Sequence, residues 1–292
     1  MSESAGHPLL ALIESALAPL GATPMGASDE ALLLAYAELE MELPWPELDA
    51  CLHGCEPEGW GAAIADRVVE MAAAARGHEV EPEQLLGTLL PVLRGQRGAR
   101  DLAQRAPDIL AFEPAPSLLT TLATPTVNGR RYLLRGEVEA LGQPTTTLAA
   151  TALANLRART PDDAVQALRG DSEGLSYGLA CDDGLDSSRL LIIADLLPDW
   201  ARQGLVVAVP ARDFLVAAPF CRQGLPALRG LAQVAHDGAR TMPQPVSGDL
   251  FWVARSGAAR ITVSPAADGR PHLDLPRQLA EHQVRLAADG LW

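Results

Sequence analysis

Residues 174–178, Gly-Leu-Ser-Tyr-Gly, carry the G-x-S-x-G spacing of a nucleophile elbow. In that motif the serine sits on a strained strand-to-helix turn, and small neighbours leave its hydroxyl clear for attack. His236 and His272 follow downstream, in a usable order for a general base. The setting of Ser176 differs from the motif, because a polar stretch precedes it and an apolar stretch follows. Ser176 is therefore expected in a loop leading into a strand and not as a nucleophile.

Asp182, Asp183 and Asp186 come next and could offer oxygen ligands to Mg²⁺ or Ca²⁺. The run lacks the D-x-D-x-D-G pattern with a distal Glu. Turn chemistry explains Asp182-Asp183-Gly184, and Asp186 precedes Ser187 and Ser188 where a helix beginning near Arg189 needs a cap. On that reading Asp186→Ala costs about 0.5–2 kcal/mol and Asp186→Asn keeps much of the cap. Cys51, His53 and Cys55 suggest soft-metal ligands, but zinc sites pair such a cluster with a second one, and Cys181 and Cys221 stand alone. Free thiols are the better expectation.

Arg94, Arg97 and Arg100 are separated by Gly95 and Gly98. They offer either an anion site, with glycine N–H groups beside the guanidinium groups, or a solvated loop. Arg212 and Asp213 are adjacent between two apolar runs, which favours a structural ion pair or turn anchor over a catalytic pair. No catalytic residue, cofactor or metal is assigned from these patterns. The functional candidates are Arg94, Asp182, Asp183, Asp186, Arg212 and Asp213.

Composition removes whole classes of chemistry. The chain has no lysine, so all 23 basic side chains are arginine. Walker A loops, the kinase ATP site, and Schiff-base or pyridoxal enzymes all require a lysine and are excluded in their usual forms. The net charge of −14 opposes binding to phosphate backbones and anionic lipid, so neither nucleic acid nor membrane is expected as a partner. No export leader is read at the start and no apolar run is long enough to span a bilayer, which points to the cytoplasm and reduced thiols.

The elements that must position these groups are legible in part. Residues 8–20 and 60–75 have helical spacing. Residues 23–28 read as a turn-rich connector. The alternation over residues 31–43 slips phase, so it is two short strands or one bulged strand, ended by Pro44 and Pro46. Residues 83–92 read as helical until Pro91. Asn128-Gly129 marks a hairpin between residues 118–124 and 130–134. A helix follows from Thr145 to Leu156, and residues 160–172 read as a loop around a short helix. The central block, residues 177–231, runs strand, acidic turn, helix, then apolar strands at 205–209 and 214–218. A helix follows at 225–234, a hairpin around Ser256-Gly257, and a terminal helix at 276–288.

Four strings are similar to a known family: LPVLR at 90–94, TALANL at 151–156, LDSSRLL at 185–191 and VAVPARDFLV at 207–216. They resemble the -PVIR-like, -AL-NL, -DASRLL-like and -VAIPSRD-L-like strings of the YtpQ-like family of bacterial proteins, a domain of unknown function. Ser187 and Ala211 stand where the strings differ. The likeness extends over about residues 32–263 and implies a fold more than an activity.

The expected fold is α+β, with largely antiparallel sheets in repeated strand-strand-helix units. The expected organisation is an N-terminal helix (1–26), three α+β units (27–90, 91–172 and 173–265) and a C-terminal tail with a short helix (266–292). The expected function is a non-enzymatic protein-binding module of adaptor, immunity or chaperone type, whose acidic charge suits a basic partner. The competing class is a hydrolase or metal-dependent enzyme using Ser176 or the Asp182–Asp186 turn. No oligomeric state is assigned.

Overall fold

The apolar alternation over residues 31–43 is where the first sheet nucleates. The computed structural model describes residues 8–28, 30–53, 55–77, 81–170, 174–181, 183–255, 257–265 and 271–288. Among these the chain divides into two compact units. One comprises Met1–Leu89, Asp101–Leu110 and Leu122–Leu148; the other comprises Leu90–Arg100, Ala111–Thr121 and Ala149–Trp292.

Helix α1 (Pro8–Leu17) opens the first unit, followed by strands β1 (Thr23–Ala27), β2 (Ala31–Tyr36) and β3 (Leu39–Pro44). Residues 31–43 are thus two strands, turned at Ala37, whose φ is 49°. Residues 23–28 are not a connector. They form β1, whose strand pattern is hidden by Pro24 and Gly26 and whose register shifts between them. Helix α2 (Trp45–His53) begins where Pro44 and Pro46 were expected only to end a strand. Proline is tolerated in a first helical turn because its missing N–H has no intrahelical acceptor there. Helix α3 (Trp60–Arg76) sets Ile64, Val68 and Met71 on one stripe. That stripe packs with Leu32, Leu34, Met41 and Leu43 of the sheet and Ile13 and Leu17 of α1. Each such fully buried aliphatic side chain contributes about 1.5–3 kcal/mol.

Helix α4 (Pro82–Thr88) stops before Leu89, and strand β4 (Leu90–Gly95) replaces the expected end of that helix. Helix α5 (Gln96–Arg105) then takes the stretch expected as a glycine-broken loop. Strands β5 (Ala111–Ala115), β6 (Leu118–Thr126) and β7 (Gly129–Tyr132) follow. The hairpin of β6 and β7 is the expected one, with Thr126 opposite Gly129. In the first unit the strand order is β1-β2-β3-β7-β6.

Helices α6 (Arg135–Ala140) and α7 (Thr145–Arg159) lead to strands β8 (Val165–Gly170) and β9 (Gly174–Leu179). Residues 165–170 are therefore a strand, where a loop around a short helix was expected. A 3-10 segment (Ser187–Ile192) runs into helix α8 (Ile193–Leu196). Strands β10 (Leu205–Ala208) and β11 (Leu215–Pro219), helix α9 (Leu228–Thr241), strands β12 (Leu250–Ala254), β13 (Gly257–Pro265) and β14 (Pro271–Asp274), and helix α10 (Arg277–Ala288) complete the chain. Ser256, expected in the β12–β13 turn, lies outside the described residues.

These strands form one antiparallel sheet in the order β14-β13-β12-β10-β11-β9-β8. Strand β10 is apolar throughout because both of its faces are buried. Val206 and Ala208 join a core with Leu231, Ala232 and Ala235 of α9. Leu205 and Val207 join the opposite core with Leu190, Ile193 and Leu197. The architecture is α+β with antiparallel sheets. No helix among the described residues is long and apolar enough to cross a membrane.

Candidate functional site

In the second unit, the turn after β9 brings the acidic residues of the central block onto one guanidinium group. Arg189 is fully buried. Its Nη1 and Nη2 donate to Asp183 Oδ1 and Oδ2 at 2.8 and 2.7 Å. Nη1 also reaches Asp186 Oδ1 at 3.1 Å, and Nε donates to Thr160 Oγ1 at 2.9 Å. Thr160, just beyond α7, in turn donates to the Leu156 carbonyl at 2.8 Å. Desolvation works against the charge on Arg189, but hydrogen bonding and the charge of Asp183 outweigh it and hold the guanidinium above its ordinary pKa.

Asp186 does not cap the helix that follows it. Its backbone is already helical, and its side chain makes no capping bond. Instead Oδ1 accepts the Cys181 N–H at 3.1 Å, so the carboxylate ties the turn back to the end of β9. The nearby buried guanidinium gives the carboxylate a charged hydrogen-bond partner in place of the backbone N–H groups of the first turn. Asp183 makes the local turn bond, accepting the Leu185 N–H at 3.1 Å. Asp182 lies outside the described residues.

Two buried oxygens here have no hydrogen-bond partner, Asp186 Oδ2 and Ser187 Oγ. Burial pushes the Asp186 carboxyl above its ordinary range; the Cys181 N–H and Arg189 oppose this, and Asp183 and Asp213 add to it. Burial likewise pushes the Cys181 thiol up to about 11, reinforced by Asp186 and Asp183 against the pull of Arg189.

The remaining candidates brace the same region. Ser188 Oγ accepts the Leu93 N–H of β4 at 3.0 Å. Ser187 donates its N–H to the Arg212 carbonyl at 2.9 Å, and the Arg212 N–H reaches the Gln244 carbonyl. The Arg212 guanidinium lies on the Asp213 carboxylate, with Nε–Oδ1 at 3.1 Å and Nη2–Oδ2 at 3.2 Å. This is the geometry of an ion pair and turn anchor. Arg94, half-buried, ends β4 beside Gly95, while Arg97 and Arg100 are exposed on α5. A Cβ on Gly95 would stand 1.7 Å from the Val246 carbonyl oxygen, so this glycine serves a close backbone approach and not an open anion nest.

Strand β4, the end of α7, the 3-10 segment and the β10–β11 connection thus contribute to one bracing network. Sequence reasoning missed its centre, Arg189, together with Thr160. The available signal was a single charge, three residues after Asp186 and immediately before the apolar run Leu190–Leu191–Ile192.

Ser176 is a mid-strand residue of β9, opposite Leu168 of β8, and its hydroxyl donates to the Leu168 carbonyl at 3.3 Å. That setting differs both from a strand-to-helix elbow and from the expected loop. All four cysteines are free thiols, and no group of three metal-ligating side chains forms among the described residues.

The edges of the sheets are the other place where the chain can act. Edge strands expose backbone donors and acceptors, and proteins blunt them with proline, bulges, shortness or cover. Strand β1 has Pro24 and a register shift. Strand β5 has Pro114 and a register shift. Strand β4 is largely buried, contains Pro91 and gives its Leu93 N–H to Ser188. Strand β14 has four residues and begins with Pro271. Among the described residues strand β8 shows neither a proline nor a register shift, and its one charged residue is Arg169. Its six residues pair with β9 in unbroken register and contain no proline. Beyond its bonds to β9, which include the Ser176 hydroxyl on the Leu168 carbonyl, no backbone–backbone hydrogen bond reaches it among the described residues. Leu168 is 44% exposed on it, lying against Gly178 of β9. No known protein family, curated protein or solved structure matches the chain.

Proposed function

We propose that this chain is a non-enzymatic protein-binding module of adaptor, immunity or chaperone type, working in the cytoplasm on a basic partner. The regular, proline-free edge of β8 carries this reading. A six-residue edge with outward-facing backbone groups and a half-exposed leucine is a template for another chain. The net charge of −14 favours a basic partner, through complementarity and faster encounter. The chemistry-bearing side chains favour it over an enzyme, since Asp183 and Asp186 are engaged with Arg189, Arg212 with Asp213, and Ser176 with a strand carbonyl.

The test is capture of partners from the native cytoplasm by the intact chain and by Leu168→Arg, with the captured proteins identified. A basic protein held by the parent and lost from the variant supports the reading. A partner held equally by both places binding away from β8 and contradicts its basis.

A further inference from the structure

We infer that β8 receives an extended, basic segment of its partner as an added antiparallel strand. This rests on the protein-binding reading and specifies what the edge accepts. Strand β8 already pairs antiparallel with β9 over all six residues, so its outward groups are spaced for a second ladder of the same kind. Side chains alternate along a strand, so Leu168 shares a face with Gln166. An incoming strand therefore gains most from an apolar residue beside Leu168, with polar residues between.

Charge selects the occupant. Asp162 and Asp163 are exposed where the chain enters β8, and Asp162 also holds Arg157 at 3.1 Å. A strand running antiparallel to β8 brings its C-terminal end to these aspartates, which suits arginine or lysine there. A second copy of this chain fits poorly, because pairing β8 with β8 would bring together two molecules of charge −14.

The experiment is fluorescence anisotropy of the full chain with labelled, end-blocked seven-residue peptides. One alternates arginine and valine, one alternates glutamate and valine, and one alternates arginine and proline. The last keeps the charge but cannot form a strand ladder. The arginine–valine peptide should bind, and the other two at least about tenfold more weakly. Leu168→Arg and Asp163→Arg should each weaken the arginine–valine peptide several-fold, with circular dichroism and melting unchanged.

Failure of that peptide to bind overturns the inference, as does equal binding by the arginine–proline or glutamate–valine peptide. If it fails while a cellular partner is still lost from Leu168→Arg, the strand inference falls and the protein-binding reading stands. If the cellular partner also persists on Leu168→Arg, the edge reading falls with it. Concentration-dependent dimers of the parent that Leu168→Arg abolishes would make the occupant a second copy, overturning the basic segment.

Discussion

Arg189 has a buried charge surrounded by two carboxylates and a threonine hydroxyl. Removing one partner of a buried ion pair leaves the other uncompensated, so Arg189→Met should destabilise the fold by about 3–5 kcal/mol in urea melts. Adding Asp183→Asn and Asp186→Asn to that variant should recover part of the loss, since coupled neighbours are not additive. A loss under about 1 kcal/mol for Arg189→Met would mean that the cluster contributes little. Asp186 gives a pH signature. Its folded pKa lies above the unfolded value, so the native state binds its proton more tightly. Its stabilising contribution is full below the unfolded pKa and is lost as pH rises through the folded pKa. The parent should therefore gain stability relative to Asp186→Asn as pH falls from neutral into the mildly acidic range. The opposite trend would contradict the buried carboxyl. Cys181, with its thiol pushed up to about 11, should resist iodoacetamide at pH 8 until urea is added, while exposed Cys55 reacts first. Mass mapping of the labelled cysteines checks that order.

At the scale of elements, local sequence served best where one residue type decided the outcome. The apolar run at β10, the stripe of α3 and the Asn128-Gly129 hairpin were all legible. Strands β1 and β8 were not. Pro24 and Gly26 imitate a connector in β1. Strand β8 is an edge whose residues 166–168 are all exposed, so its sequence lacks the alternation that a buried face imposes. Helix α5 was hidden by Gly98 and its arginines, and its identity comes from tertiary context. The site failed to show for a related reason. Asp186 looks like a cap in sequence, and only folding brings Arg189 and the end of β9 to its side chain. Two glycines separate packing from propensity. Gly95→Ala places a Cβ against the Val246 carbonyl and should cost about 1–3 kcal/mol. Gly230→Ala, on an exposed turn of α9 with no atom within 4 Å of the added Cβ, should stabilise by about 0.5–1 kcal/mol. Thermal melts of the two variants should move in opposite directions.

For the whole molecule, charge and edge act together. A net charge of −14 opposes the counterion release that drives binding to nucleic acid, so the chain should pass through a DNA or RNA column at physiological salt. On the proposed reading, the same charge favours a basic chain over a second copy at β8. Backbone hydrogen exchange, read residue by residue on the free chain and on the chain with its captured partner, tests this most directly. In the free chain, the outward amides of residues 165–170 should exchange much faster than those of β10, which pairs on both sides. With the partner bound, the slowing should centre on residues 165–170. Slowing elsewhere, with β8 unchanged, would contradict the account.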